Sequence, residues 1–345
     1  MSSKSSRRWW WFATGVVVLA LGLGLAWAWQ GYQRFATTPL TVQDAQATFD
    51  VERGTSFKGI VGGLRARGLT RAAPLWWRLL AREMRVAGKL HAGEYALVPG
   101  ITPRALLADM AAGRVVQHHF TIVDGWTFAQ LRAALAAEPG LVQRADMLDD
   151  AALMRALGAP GEAPEGRFLP ETYAWVKGDA DLDVLRRAHR AMQDTLDALW
   201  PDRAPGLPLA SPYQALILAS IVEKETGRAD ERAAIAGVFT RRLERGMLLQ
   251  TDPSVIYGMG PAYAGNIRKR DLETDTPFNT YTRAGLPPTP IALPGKPALV
   301  AALHPAAGDA LYFVARGDGS GSHVFSATLD AHNRAVDCHQ RKRCR

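Results

Sequence analysis

The stretch PYQALILASIVEKETG, residues 212–227, decides the reading of the fold. Ser211 stands where an N-cap belongs, and Pro212 takes the first helical position, where its missing N–H is harmless. Gly227 is the expected stop. With Leu218 as origin and roughly 100° per residue, Ala215, Leu218, Ile221 and Val222 form one apolar face. Glu225 falls within about 20° of that face's centre, and Glu223 about 140° from it. One glutamate is therefore aimed at the interior or at a cleft wall. Burial there disfavours the carboxylate, and the negative helix C-terminus adds to the effect. An acid kept protonated near neutral pH is what general acid catalysis needs. Two bland alternatives stay open: the helix frays and Glu225 turns to water, or Glu225 pairs with Arg241 or Arg242.

Around this helix the chain is 345 residues long and 48% hydrophobic, enough for one large core and a smaller module. Its formal charge of +8 is uneven. Lys4, Arg7 and Arg8 supply +3 and the tail from Arg334 a net +4, so residues 9–333 carry about +1. No basic stripe is interleaved with aromatics, so a nucleic-acid partner is not expected. The basic N-terminus instead abuts WWWFATGVVVLALGLGLAWAW, residues 9–29, which holds no charge. That length spans ~30 Å of hydrocarbon as a helix, with tryptophans at both ends as interfacial belts. The positive-inside rule leaves residues 1–8 in the cytoplasm and everything after about residue 30 outside. A cleaved signal peptide, with AWA at 26–28, is the rival reading.

The organisation expected is α+β: residues 1–8 cytoplasmic, a transmembrane helix over 9–29, a small module over 45–117, a main domain over 118–335 and a basic tail over 336–345. In the module, Ser56 opens a helix with Ile60, Val61 and Leu64 on one face, and APLWWRLLAREMRV forms a second. A strand at Glu94–Val98 precedes a helix capped by Thr102, started by Pro103 and stopped at Gly113. In the main domain a strand at Phe120–Val123 turns at Asp124-Gly125, and Thr127 caps the next helix. Residues 211–246 hold two strong helices. Beyond Gly246 the pattern reads as turn-rich and strand-rich, with ALYFVAR (310–316) the clearest strand.

The motifs ASIVEKETG and VFTRRLERGMLLQTDPSVIYGMG together resemble the endolytic murein transglycosylases of the YceG/MltG type. EGRFLPETYAW, FNTYTRAGLPPTPI and LYFVARGDGSGSHVFSATLDAHN extend the resemblance over nearly the whole chain. It implies that the module at 45–117 is LysM-like and that the mixed helical and strand-rich domain after it is catalytic. It implies a single-pass inner-membrane protein with its catalytic domain in the periplasm, cutting the MurNAc-GlcNAc β-1,4 bond within nascent peptidoglycan strands. The products would be 1,6-anhydro-MurNAc ends. The second glutamate of EKET, Glu225, would carry the chemistry. Gln250, Asp252, Tyr257, Asn279 and Tyr281, in family-like motifs, and His323 are candidates for substrate binding. Asp252 also fits a turn that caps a helix, Asn279 a loop that satisfies its own backbone, and His323 a structural role. Glu171 and Tyr173 border the cleft or fix a turn.

Peptidoglycan strands are the expected partner, beside penicillin-binding synthases and the elongation or division complexes. No phosphate loop, nucleophile elbow or metal-ligand cluster appears, so no cofactor or metal is expected. Cys338 and Cys344 could close one small disulfide loop outside the cytoplasm. A non-catalytic wall-binding scaffold would suit the anchor and module equally well. Only Glu225 separates the two readings, because a scaffold does not require it.

Overall fold

The computed structural model describes residues 4–44 and 46–343. They fall into two units: one runs through His118 and includes Val176–Gly178, and the other comprises His119–Trp175 and the chain from Asp179 onward. Helices dominate. The strands occur only as two-stranded sheets among the described residues. The fold class is α+β.

In the first unit α1 (Lys4–Thr37) contains the one helix among the described residues long and apolar enough to cross a membrane, Trp9–Thr37. It continues past the span expected to end at Trp29. Its last turns bury Tyr32 and Ala36, and the Phe35 ring meets Trp77 edge-on at 5.3 Å. The strand β1 (Thr48–Val51), α2 (Phe57–Ala66), α3 (Pro74–Glu83), β2 (Gly93–Ala96) and α4 (Pro103–Ala112) follow. β1 and β2 pair antiparallel, with Phe49 opposite Tyr95. The local signals act as their chemistry predicts. Ser56 and Thr102 accept from Gly59 N and Ala105 N, and Gly113 closes α4 at φ 65°. Ile60, Val61, Leu64, Trp77, Leu80, Leu106 and Met110 build the core.

β3 (His118–Thr121), which starts at the unit boundary, pairs with β4 (Thr172–Trp175), and the second unit continues from it. The fragment PETYAW thus holds a strand, which periodicity over four residues is too short to reveal. Thr127 and Gln130 form a capping box at α5 (Phe128–Ala136). Then come α6 (Asp150–Leu157), α7 (Asp181–Leu199), α8 (Pro212–Glu225) and α9 (Arg232–Glu244).

The expectation of a strand-rich part beyond Gly246 is corrected. α10 (Asp252–Met259), α11 (Lys269–Glu273), α12 (Lys296–Leu303) and α13 (Leu329–His339) lie there, with one hairpin of β5 (Tyr312–Ala315) and β6 (His323–Ser326). The reason is burial. KPALVAAL in α12 is apolar almost all round, and such a run shows neither a helical nor a strand period. α13 runs through the boundary expected at 335–336. Cys338, on α13, is disulfide-bonded, and Cys344 lies outside the described residues.

α8 is the axis of this unit. Every residue from Ala215 to Val222 is buried, so it has no solvent face. It packs against α12 and α9, with Leu216, Leu218, Ile221, Phe239, Leu299 and Leu303 in one cluster. Ser220, its one buried polar residue, donates to Ile217 O at 2.7 Å and accepts from Ile291 N at 3.0 Å. In α9, a Cβ at Gly237 would stand 2.5 Å from the Ala306 carbonyl, so only glycine lets that loop approach. Arg241 then bonds Ala306 O at 3.0 Å and Ala310 O at 2.7 Å, which seats the β5–β6 hairpin beside α9.

Ser220→Ala leaves the buried Ile291 N–H without its acceptor. We expect a loss of about 1–3 kcal/mol, read as a lower urea midpoint at unchanged slope.

Candidate active site

The all-round burial of α8 corrects the helical-wheel argument. A helix with no solvent face offers no reason to prefer one glutamate by angle. Both carboxyls are withdrawn from water, and their partners distinguish them. Glu223 accepts from Gly295 N at 3.1 Å and faces the Arg232 guanidinium at 3.6 Å. It ties the end of α8 to the start of α12 and to α9. Glu225 has no cation partner among the described residues. Its Oε1 takes the hydroxyl hydrogen of Thr251, the residue that opens α10. The helix ends at Thr226 in extended backbone, not with a left-handed glycine.

Glu225 forms part of the wall of a cavity of about 490 Å³. Burial pushes its pKa up to about 7. The Thr251 hydroxyl and His323 pull it down, and the charge of Asp252 pushes it further up. Glu223 is also raised by burial, but Arg232 and the Gly295 N–H oppose this.

Four other expected residues line the same cavity: Gln250, Asp252, Tyr281 and His323. Gln250 holds a left-handed backbone at φ 52°, uncommon for a residue with a side chain and costly enough to mark a constrained position. Asp252 accepts from the Tyr281 hydroxyl at 2.5 Å. This bond and burial together raise the Tyr281 pKa. His323 is clamped by Glu231, which bonds its Nδ1 at 2.7 Å and its backbone N–H at 2.9 Å. The structure does not bring Tyr257 or Asn279 to the cavity. Tyr257 donates to Glu165 at 3.1 Å and packs edge-on against Phe278 at 4.9 Å. Asn279 is 1% exposed and bonds the carbonyls of Asp271, Leu272 and Thr274 through Nδ2. Its Oδ1 accepts from Tyr281 N at 2.9 Å, so it shapes the loop that delivers Tyr281.

Sequence reasoning missed the groups that hold this wall together. Thr280 Oγ1 accepts from Thr251 N at 3.0 Å and lies 2.9 Å from Ser254 Oγ. Gln250 N donates to Thr280 O at 3.1 Å. The NTY segment thus clamps the QTDPS segment through buried hydroxyls, which carry no periodic signal. Glu231, the residue that precedes α9, reads as a surface charge in sequence. Arg242 was considered only as an ion-pair partner for Glu225, and no such pair forms. Glu165, buried away from the cavity, accepts from Phe128 N at 3.0 Å and has a pKa pushed up to about 7 by burial. Glu171 and Tyr173 are not among the cavity residues. Tyr173 donates to Leu169 O at 2.7 Å.

The arrangement puts one uncompensated, desolvated carboxyl in a polar and aromatic cleft. Such a group can give a proton at neutral pH and take it back. The cleft offers aromatic faces and hydrogen-bonding groups, Tyr281, Tyr312, Asp252, Gln250 and His323, that suit a carbohydrate better than an apolar ligand.

Comparison with known proteins places the chain in a family. A family model described as the YceG-like family matches residues 49–338. A Bacillus subtilis (strain 168) protein named endolytic murein transglycosylase is 31% identical over 271 residues, covering 73% of this chain and 73% of that protein. A Streptococcus pneumoniae (strain ATCC BAA-255 / R6) protein of the same name is 31% identical over 186 residues, covering 53% of this chain and 32% of that protein. The solved structure of a yceG-like protein from Listeria monocytogenes aligns with a TM-score of 0.51 at 28% identity, over 83% of this chain and 98% of that one. The chain belongs to the YceG-like family.

Proposed function

We propose that this protein is an endolytic murein transglycosylase with Glu225 as its acid and base. The observation that carries the reading is the buried Glu225 carboxyl, without a counter-ion among the described residues, on the wall of a cavity of about 490 Å³. The two relatives named above carry that activity in their names, which supports it.

The substrate would be the β-1,4 bond between N-acetylmuramic acid and N-acetylglucosamine inside a strand. Glu225 protonates the leaving O4 as the C1–O4 bond breaks. The muramoyl 6-hydroxyl adds to C1 and closes the 1,6-anhydro ring. Glu225, now a carboxylate, takes the 6-hydroxyl proton and returns to its starting state. Because the nucleophile is tethered to the reacting sugar, positioning supplies much of the acceleration. One carboxyl then serves where hydrolysing glycosidases use two at fixed spacing. Thr251 orients the carboxyl. Burial, with the charge of Asp252 adding to it, keeps Glu225 protonated. His323, held through Nδ1 by Glu231, has Nε2 left for a sugar hydroxyl. Gln250 and Tyr281 complete the wall.

We read residues 45–117 of the first unit as a LysM-like module. The order β1, α2, α3, β2 with an antiparallel strand pair supports this. The helix Trp9–Thr37 would anchor the protein in the inner membrane as a single pass. Lys4, Arg7 and Arg8 ahead of it favour a cytoplasmic N-terminus and a periplasmic catalytic domain. An anchor keeps the cleft near the bilayer, where nascent strands leave the synthases. Penicillin-binding proteins of the elongation or division machinery would be its partners there.

Full-length protein in detergent, given uncrosslinked glycan, should leave anhydro-muramic ends by mass spectrometry. Glu225→Gln should lower the rate by about 10²–10⁴-fold. Glu223→Gln should lower stability but keep the same products. Reducing muramic ends from the wild type, or loss of cleavage with Glu223→Gln alone in a folded protein, would defeat the proposal.

The pH profile follows from the same carboxyl. Burial raises its pKa, so the acid form persists up to about pH 7. We expect kcat/KM to fall as pH rises through that value. Asp252→Asn removes a charge that raises this pKa, so the falling limb should move to lower pH.

A further inference from the structure

Arg242 is a charged group in the cleft that the mechanism leaves unused. It lies on α9, is 7% exposed and forms part of the cavity wall. Its Nε donates to Leu311 O at 2.7 Å. Its Nη1 donates to Leu248 O at 3.0 Å, Leu249 O at 2.9 Å and Gln250 Oε1 at 3.3 Å. The Tyr312 ring lies under the guanidinium at 5.0 Å. Every one of these partners is neutral. Arg242 makes no ion pair among the described residues, and its Nη2 finds no acceptor among them.

The hydrogen bonds fix the plane of the guanidinium but do not neutralise it. Arginine stays protonated in proteins, so a full positive charge sits in a poorly solvated wall. A buried charge without a counter-ion is costly, and an incoming anion relieves that cost. With Nε and Nη1 engaged, the unused Nη2 offers an N–H for a charge-assisted hydrogen bond to a carboxylate oxygen. A sugar hydroxyl or acetamido carbonyl would take a hydrogen bond but leave the charge. Asp252, in the same cavity and held by Tyr281, repels an anion and so directs it towards α9.

We propose that Arg242 forms an anion subsite that receives a carboxylate of the glycan strand beside the scissile bond. This rests on the transglycosylase reading above. Two parts of a muramoyl strand supply that chemistry: the lactyl carboxylate where the stem peptide is absent, and the stem-peptide carboxylates where it is present. The subsite would make cleavage depend on the state of the muramoyl substituent.

The test uses full-length Glu225→Gln protein in detergent, which holds strands uncut. The first pair of probes is stem-free glycan with its lactyl carboxylates free or converted to methylamides. The second pair is stem-bearing strands with peptide carboxylates free or methylamidated. Neutralising the carboxylate should raise Kd by about tenfold or more in one pair, and that pair identifies the source. Adding Arg242→Gln should remove the difference. Equal Kd within both pairs overturns the proposal, as does a difference that survives in folded protein carrying Arg242→Gln. If loss of its three carbonyl partners leaves Arg242→Gln unfolded, the probe comparison in the parent protein still decides. Failure of the transglycosylase reading shows separately, as wild type that cuts none of the unmodified strands.

Discussion

The structure depends on a helix that is buried on every side and still ends in two acids. Eight consecutive residues of α8, Ala215 to Val222, are out of contact with water. The two glutamates that follow share that environment, while Lys224 between them is exposed. Glu223 meets it with a cation and a backbone N–H. Glu225 meets it with one hydroxyl. A carboxyl whose pKa moves from 4.5 to about 7 carries about 3 kcal/mol of strain once ionised. Its folded pKa lies above its unfolded one, so this cost is absent in acid, grows between those two values and stays constant above them. The molecule tolerates it because the surrounding helices bury far more apolar surface than one carboxyl can offset. In the proposed reaction that penalty keeps a proton ready for the leaving oxygen.

The rest of the site serves to hold that carboxyl still. Thr251 orients it, Thr280 and Ser254 hold Thr251, and Asn279 shapes the turn that carries Thr280 and Tyr281. On the other wall Arg241 and Arg242 bind the carbonyls of Ala310 and Leu311, which set the hairpin that presents His323. Glu231 then fixes the imidazole. These contacts link segments far apart in the chain. Each wall is therefore positioned by tertiary hydrogen bonds and not by local propensity.

This explains what could be read from the sequence and what could not. Caps and stops at Ser56, Thr102, Gly113, Thr127 and Ser211 are local, and each lies where its residue type indicates. The apolar span at the N-terminus is equally local. α12 escaped because its residues are apolar on all faces, and β4 because four residues are too few for a period. Among the site residues, Glu225 stood out through its position at the end of an apolar helix, although the wheel gave the wrong reason for preferring it to Glu223. Asn279 and Tyr257 carry polar groups suited to a sugar, but the fold directs those groups to Asp271, Leu272, Thr274 and Glu165. Thr251, Glu231 and Arg242 were invisible as site residues because their importance lies in what they face.

The central claim is that Glu225 is an acid kept protonated by its surroundings. Its most direct test is isotope-edited infrared titration of the carboxyl band, taken as the difference between wild type and Glu225→Gln. The account predicts a protonated carboxyl that persists at pH 6 and titrates at about 7. A carboxylate already formed by about pH 5, close to an ordinary glutamate, would contradict it.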